Sequence, residues 1–329
     1  MTSRLSAVFV GALLVGTSLF TCLLGGCAVA GSAPTLSGTA DAGGGTGGGG
    51  AAGGGVEAPP DQPPPILGNG LSEHEVEEGS FLMYEPRTVA MDDPVPVVFA
   101  FPGFAMDGET MRVITAFDRM ADANNFVVIF PTRTFEDVGG REVCGIARLL
   151  TPNPGDSMGF FTQMLDSVES LRALDRDKVF VTGFSLGGFF SSTIGCHRPE
   201  LVRAIAPHSG GGPGIDCIPS SLPVMILHGT DDPVVDYECV STQSRARWAI
   251  HNGCSVTSFD EVQLMNGVCE VFHGCAEGGE TRFCYFKDPA EDKGMGHGWA
   301  GAEGFRFFAG GTQYEDATQL VWDFFASTL

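Results

Sequence analysis

Basic residues are scarce in this sequence: 18 Lys and Arg stand against 40 Asp and Glu in 329 residues, a formal net charge of −22. Nucleic acids and anionic membrane surfaces attract basic patches, so this charge balance argues against either as a partner of the folded part. The ten cysteines also lack paired Cys-x-x-Cys spacings, and no segment of the chain repeats. We therefore predict no structural zinc, no other metal and no cofactor.

Long apolar runs are equally rare, and the clearest one lies at the N-terminus. A short segment with one positive charge, Met1–Arg4, precedes an apolar stretch that ends at Leu24-Gly25-Gly26-Cys27. This shape predicts a secretory signal, and the last four residues resemble a bacterial lipobox with Cys27 as the lipidated residue. The alternatives are an ordinary signal peptide cut nearby and an uncleaved anchor. Residues 1–27 are therefore predicted to export the chain, which would be secreted or lipid-anchored to a bacterial membrane or cell surface.

Large side chains are nearly absent from residues 28–68, which consist mostly of Gly, Ala, Pro, Ser and Thr. Such a segment buries too little apolar surface to offset the entropy of ordering, so it is predicted to be a disordered tether. Residues 69–329 then remain as one domain, long enough for a substantial core. The membrane is thus a partner only through the N-terminal lipid anchor.

Eight cysteines remain once Cys22 and Cys27 are assigned to the export signal. An even number in an exported chain predicts up to four disulfides. A metal site is the competing interpretation, because His273 lies close in sequence to three of them, but the spacing and the oxidising compartment favour disulfides. The eight are Cys144, Cys196, Cys217, Cys239, Cys254, Cys269, Cys275 and Cys284.

Apolar runs alternate with helical patterns throughout the domain. Continuous apolar runs separated by helices are typical of a mainly parallel sheet with helices on both faces, so an α/β fold is predicted. The predicted strands are 81–85, 95–101, 126–130, 178–183, 201–206, 223–229 and 282–287. The predicted helices are 109–124, 159–174, one following residue 185, one near 240–251 and one near 314–327.

A serine ringed by glycines lies between one predicted strand and the next helix, in "VFVTGFSLGGFF". The pattern Gly-x-Ser-x-Gly has weak specificity in a chain with 47 glycines. Its setting is more specific. In the nucleophile elbow of α/β-hydrolases, the serine lies on a tight turn between a strand and the helix that follows it. Ser185 is therefore the candidate nucleophile.

A serine nucleophile needs a base within hydrogen-bond reach and a carboxylate that orients the base. Asp231 and Asp232 follow a predicted buried strand, where the acid of such a triad belongs. His297 lies in a glycine-rich loop after the strand 282–287 and is the candidate base. His228 is weaker, since it ends a strand just before the acid.

The reaction also needs donors for the oxyanion, and two backbone amides are candidates. One is that of Leu186, directly after the nucleophile. The other comes from the loop after strand 95–101, where Pro102 has no N–H and Phe104 is the next candidate.

With these residues placed, the chain from about 79 to 329 resembles the polyhydroxybutyrate depolymerase and feruloyl esterase group, related to family 1 carbohydrate esterases, of the α/β-hydrolase superfamily. The resemblance rests on several stretches in the same order along the chain. They are "VPVVFAFPG", "FDRMADANNFVVIFP", "ALDRDKVFVTGFSLGGFFSSTIGCHRPELVRAIAPHSG", "VMILHGTDDPVVDY", "NGC" and "GMGHGWAG".

The resemblance implies a single α/β-hydrolase domain that acts as a serine carboxylic ester hydrolase through an acyl-enzyme. It aligns Asp232, not Asp231, with the triad acid. Its substrates would be feruloyl or acetyl esters of polysaccharides, or short polyhydroxyalkanoate esters. It also implies disulfides that pair Cys196 with Cys217 and Cys254 with Cys275.

Departures from the family pattern surround the expected pocket and bear on substrate choice: Pro102-Gly103 stands for His-Gly, Trp299-Ala300-Gly301 for Trp-Pro-Gly, and Leu186 for Asn or Ala. Trp299 and His208 are candidates for the pocket wall, with packing of its own loop as the alternative for Trp299. A peptidase of the same fold and a non-catalytic binding lipoprotein are the rival functions; the intact Ser185, Asp232 and His297 argue against the second.

Overall fold

Apolar, β-branched runs form the centre of a mixed sheet in the computed structural model. The structure describes residues 68, 70–132, 154–214, 217–288, 290–303 and 310–329, all within one compact unit, Asp61–Leu329. The predictions for residues 1–67, which include Cys27, and the pairing of Cys144 lie outside the described residues.

Eleven strands of the described residues belong to one sheet, in the order β1-β2-β4-β3-β5-β6-β7-β10-β9-β8 with β11 beside β10. The strands are β1 (Gly70–Val76), β2 (Gly79–Glu85), β3 (Val95–Phe101), β4 (Val127–Thr132), β5 (Leu174–Phe184), β6 (Ala204–His208), β7 (Pro223–Gly229), β8 (Phe259–Leu264), β9 (Gly267–Phe272), β10 (Glu280–Asp288) and β11 (Lys293–Gly294).

The inner strands β4-β3-β5-β6-β7-β10 pair in parallel. The outer strands β1, β2, β8 and β9, together with the short β11, pair antiparallel. Because the inner strands are parallel, their carboxyl ends all open at the same edge of the sheet.

Helices cover both faces of this sheet. They are α1 (Gly108–Thr115), α2 (Phe117–Asn124), α3 (Pro154–Leu171), α4 (Leu186–His197), α5 (Thr242–His251) and α6 (Ala317–Ala326), with a 3₁₀ turn at Pro199–Leu201 and a π turn at Tyr237–Ser241. One core cluster joins the sheet to α1, α2 and α6, and a second joins it to α3, α4 and α5. The predicted α/β class, with a mainly parallel central sheet and helices on both faces, is confirmed.

Two local predictions were wrong. The single helix predicted over 109–124 is two helices, because Ala116 adopts a left-handed conformation with φ 49° and ends α1. Strand β4 does not stop before Pro131 but continues to Thr132, and Pro131 lies opposite Phe81 of β2. A proline is tolerated where the ladder does not need its missing N–H.

Three disulfides link described residues. Cys196 pairs with Cys217 and Cys254 with Cys275, which is the pairing that the family resemblance implies. Cys269 pairs with Cys284, directly opposite it in the antiparallel register of β9 and β10. Cys239 is also disulfide-bonded.

We expect the double substitution Cys269→Ala/Cys284→Ala to lower the free energy of unfolding by about 3 kcal/mol, because it reopens a loop of 15 residues in the unfolded chain. Urea unfolding of the two oxidised proteins measures the difference. A loss below about 1 kcal/mol would mean that residual pairing of β9 with β10 already restricts the unfolded chain, so that the cross-link adds little.

None of the described helices is both long enough and apolar enough to cross a bilayer. The described residues also contain no group of three or more His, Cys, Asp or Glu side chains arranged to hold a metal ion.

Candidate active site

The candidate nucleophile lies at a sharp turn between β5 and α4. Ser185 has φ 55° and ψ −115°, a conformation that non-glycine residues rarely adopt. Its N–H donates to the carbonyl oxygen of His208 in β6 (2.9 Å), and its carbonyl oxygen accepts from the N–H of Phe189 in α4 (3.1 Å). These main-chain bonds hold the strained turn whatever side chain it carries.

The flanking glycines are required by close backbone contacts. A Cβ atom on Gly187 would lie 2.1 Å from the carbonyl oxygen of Phe101, at the end of β3. A Cβ atom on Gly183 would lie 2.4 Å from the carbonyl oxygen of Gly187. The two glycines of the Gly-x-Ser-x-Gly pattern therefore let α4 start directly above the sheet.

The candidate acid follows β7 and is held by its own loop. Oδ1 of Asp232 accepts from the N–H groups of Val234 and Val235, both at 2.8 Å. Oδ2 accepts from Nδ1 of His297 at 2.7 Å. The neighbouring Asp231 instead accepts from the N–H of Gly294 at 2.9 Å, so it is Asp232 that meets the histidine.

The carboxylate of Asp232 is kept ionised in a buried position. Burial by itself would raise its pKa, but hydrogen bonds from His228 and His297 hold the pKa well below the usual value. A carboxylate that stays ionised can orient an adjacent imidazole and balance a positive charge that forms on it during a reaction.

The candidate base is presented by a loop between β11 and α6. Nδ1 of His297 donates to Asp232, which leaves Nε2 as the basic nitrogen. The imidazole ring lies 4.7 Å from the ring of Phe184, the residue just before Ser185. The structure thus brings the loop of His297 to the turn that carries the candidate nucleophile.

Helix α6 supports this loop. The N–H of Ala317 donates to the carbonyl oxygen of Ala300 (3.1 Å), and Nε1 of Trp299 donates to the hydroxyl of Thr318 (2.9 Å). The same hydroxyl donates to the carbonyl oxygen of Thr115 at the end of α1 (2.5 Å). The backbone just after His297 is therefore tied to both α6 and α1.

Trp299 and His208, predicted at the pocket wall, are interior residues. Both side chains are 0% exposed, and their rings stack at 4.8 Å. His208 accepts from the N–H of Ala300 through Nε2 (3.3 Å), and its Nδ1 lies 3.1 Å from the hydroxyl of Ser209. With every polar group directed at the protein, these two side chains pack the loop of His297 and present no surface to a substrate.

The predicted oxyanion donors belong to Leu186, directly after Ser185, and to Phe104, in the loop after β3. Leu186 is the first residue of α4, so its N–H has no acceptor within the helix. Phe104 follows Gly103, on which an added Cβ atom would lie 3.4 Å from that of Ser185. A turn closed by the N–H of Met106 and the carbonyl oxygen of Gly103 (3.2 Å) leaves the Phe104 N–H outside that bond. Their role stays a prediction.

In the sequence, His228 is only a weaker candidate for the base, and its contact with Asp232 was not predicted. His228 is the penultimate residue of β7, is fully buried, and places Nε2 3.2 Å from Oδ2 of Asp232. Only the spacing of four residues between His228 and Asp232 hints at this contact, and that spacing alone has no specificity.

The buried imidazole of His208 predicts a pH-dependent stability. Burial, and to a smaller extent the nearby His228 and His297, lower its pKa well below 6.5, while Asp232 opposes the shift. The folded state therefore favours neutral His208, so its stabilising contribution is present above about pH 6.5 and is lost as the pH falls. His208→Gln keeps an acceptor for Ala300 but cannot bind the proton.

Urea unfolding at about pH 7.5 and about pH 5 should show a smaller loss of stability in His208→Gln than in the wild type, by up to about 1.4 kcal/mol for each pH unit below 6.5. His251→Gln is the matched control: burial lowers the pKa of the partly buried His251 less far than that of His208, so this variant should keep most of the pH dependence of the wild type. Equal pH dependence in wild type and His208→Gln would contradict the assignment.

Fold and site together define a class. A mainly parallel sheet with a serine on the turn after β5, a carboxylate after β7 and a histidine after β10 and β11 has the architecture of an α/β-hydrolase. The chain belongs to the dienelactone hydrolase family, whose model matches residues 92–263.

Curated relatives include two fungal proteins. A probable feruloyl esterase C of Aspergillus niger is 31% identical over 126 residues, which cover 37% of this chain and 46% of that protein. Feruloyl esterase D of Neurospora crassa is 34% identical over 129 residues, 38% of this chain and 43% of that protein. The chain thus spans about half the length of the curated relatives it matches. The resemblance to feruloyl esterases is confirmed.

Among solved structures, the acetyl xylan esterase from Aspergillus awamori superposes with a TM-score of 0.51 at 17% identity. The match covers 69% of this chain and 94% of that one. At this identity the likeness concerns the fold.

Proposed function

We propose that the protein is an exported serine carboxylic ester hydrolase that cleaves feruloyl or acetyl esters carried by polysaccharides. The observation that carries the proposal is the pairing of His297 with Asp232 beside the strained turn of Ser185. The names of the relatives support the substrate class. The disulfides of the domain support export, because such bonds persist in oxidising compartments. The lipid anchor at Cys27 is part of the proposal.

In the proposed mechanism, His297 Nε2 removes the proton of the Ser185 hydroxyl as Oγ attacks the ester carbonyl. The N–H groups of Phe104 and Leu186 stabilise the negative oxygen of the tetrahedral intermediate. The C–O bond to the alcohol breaks, and the alcohol takes the proton from His297. Water then attacks the acyl-enzyme with the same proton transfers, releasing the acid and restoring Ser185.

The exposed side chain of Phe104 supports an aromatic acyl group. It is 52% exposed and lies on the loop that follows β3 at the carboxyl edge of the sheet. An exposed aromatic ring on a loop that approaches the nucleophile through Gly103 offers a stacking surface to a planar acyl group. Phe104→Ala should therefore raise KM for methyl ferulate more than KM for p-nitrophenyl acetate.

The test combines labelling with a substrate panel. The purified chain is treated with a fluorophosphonate, and mass spectrometry locates the adduct. The same protein is assayed on methyl ferulate, acetylated xylan, hydroxybutyrate oligomers and a peptide anilide. We expect an adduct on Ser185 and turnover of the ferulate or the acetylated xylan. An adduct elsewhere would overturn the triad, and turnover of only the oligomers or the anilide would overturn the substrate class.

A further inference from the structure

The triad carboxylate contacts two histidines, of which the mechanism uses only one. Oδ2 of Asp232 lies 2.7 Å from Nδ1 of His297 and 3.2 Å from Nε2 of His228. The side chains of Asp232 and His228 are both 0% exposed, whereas that of His297 is 10% exposed. His228 therefore contacts the carboxylate from the protein interior, while His297 contacts it from the more exposed side.

The partners of His228 fix which nitrogen carries its proton. Nε2 lies 2.8 Å from the carbonyl oxygen of Val235, a group that only accepts, so Nε2 carries a hydrogen. The carbonyl oxygen of Val235 accepts this hydrogen, and Oδ2 of Asp232 lies 3.2 Å from the same nitrogen. Nδ1 contacts the hydroxyl of Ser241, which ends the π turn Tyr237–Ser241 and donates to it. Both ring nitrogens are thus satisfied in the neutral form.

We propose that His228 is a positioning residue for the reaction: its Nε2–H holds Oδ2 of Asp232 in place and draws charge from it, while Ser241 fixes the tautomer that makes this possible. The proposal rests on the proposed esterase function, since it assigns a role in the Ser185–His297–Asp232 chemistry. The carboxylate accepts three hydrogen bonds, two from the amides on Oδ1 and one from His297, and Nε2 of His228 is its fourth polar contact.

The electrostatic consequence has a definite sign. The ionisable groups around the Asp232–His297 pair are His228, His208 on β6 and Tyr237, whose ring lies 6.0 Å from that of His228, while Asp231 faces Gly294. A donor on Asp232 weakens the attraction of the carboxylate for protonated His297. Removing His228 returns that charge to Asp232, so the pKa of His297 should rise and the acidic limb of the kcat/KM profile should move to higher pH.

The substitutions test whether His228 acts as a hydrogen-bond donor to Asp232 or only fills space with its ring. His228→Leu removes the Nε2–H donor, and His228→Gln keeps a side-chain N–H that can reach Asp232. Ser241→Ala removes the hydroxyl that fixes the tautomer. Ser244→Ala is the matched control, because it removes a buried serine hydroxyl one turn along that bonds to Val240 and Gly212.

We expect His228→Leu to lower kcat about tenfold with little change in KM, well short of the loss of about 10⁴-fold on disabling a triad carboxylate. Its acidic limb should move up by about half a pH unit or more. His228→Gln should recover most of both effects, Ser241→Ala should show part of them, and Ser244→Ala should behave as the wild type. Equal losses in the Leu and Gln variants with an unmoved acidic limb would overturn the proposal.

Histidine-selective nitrogen NMR of the whole chain gives a readout that does not depend on activity. The wild type should show His228 as the neutral Nε2–H tautomer and the titration of His297 at a lower pH than in Ser241→Ala. An Nδ1–H tautomer at His228, or identical titrations of His297 in the wild type and Ser241→Ala, would overturn the positioning role. This test needs only Ser241→Ala to fold, so it holds even if His228→Leu does not. A wild type that cleaves no ester would instead refute the proposed function, and the NMR outcome would still decide how His228 binds Asp232.

Discussion

Replacing Ser185 by alanine should lower kcat on an ester substrate by about 10⁵-fold or more while the domain stays folded. The hydroxyl is the proposed nucleophile, and no other group replaces it in forming an acyl-enzyme. The strained turn does not depend on the hydroxyl, because its hydrogen bonds to His208 and Phe189 use main-chain atoms. Initial rates on the substrate that the panel identifies, together with thermal unfolding, measure the two effects separately.

Ser192→Ala is the matched control for this substitution. Ser192 lies in the same helix, α4, and its buried hydroxyl has no hydrogen-bond partner among the described residues. Its removal should leave kcat unchanged and should not lower the free energy of unfolding, since a buried hydroxyl without a partner costs stability. Residual activity above about 1% in a folded Ser185→Ala protein would refute Ser185 as the nucleophile.

Gly187→Ala should destabilise the domain by more than about 3 kcal/mol and abolish activity. The new Cβ atom would lie 2.1 Å from the carbonyl oxygen of Phe101 and 2.7 Å from that of Pro102. Both contacts are with backbone atoms at the end of β3, so no side-chain rotation relieves them. Helix α4 would have to shift away from the sheet, which moves Ser185 relative to His297. Urea unfolding and ester turnover measure both consequences.

The control for stability is Gly296→Ala, since an added Cβ atom there meets no atom within 4 Å. Its free energy of unfolding should stay within about 0.5 kcal/mol of the wild type. A loss of less than about 1 kcal/mol in Gly187→Ala would mean that α4 adjusts easily and that the glycine is not required by the contact with β3.

Strands buried on both faces were the most predictable part of the fold. The predicted runs 95–101 and 223–229 coincide with β3 and β7, because continuous β-branched and apolar residues signal a strand within a parallel sheet. The antiparallel edge strand β8 was not predicted, since its sequence "FDEVQL" is largely exposed and alternates weakly. The chain turns back from β8 into β9 at Asn266, which adopts a left-handed conformation with φ 52°.

The candidate site divides in the same way. Ser185, Asp232 and His297 each follow a predicted strand in a local pattern, so they could be placed in order along the chain. The contact of His228 with Asp232 and the pairing of Cys269 with Cys284 depend on how a loop folds back and on the register of β9 against β10. Neither leaves a local pattern, and the sequence alone therefore left both unassigned.

The hydrogen bonds between α6 and the loop of His297 determine where the chain tolerates insertions, truncations and fusion partners. Because Thr318 joins Trp299 to Thr115, an insertion or truncation in the last helix reaches the proposed base without changing a residue near the substrate. A fusion partner is better attached at the N-terminal side of the domain. For the same reason, substitutions along α6 offer a way to tune turnover separately from substrate preference.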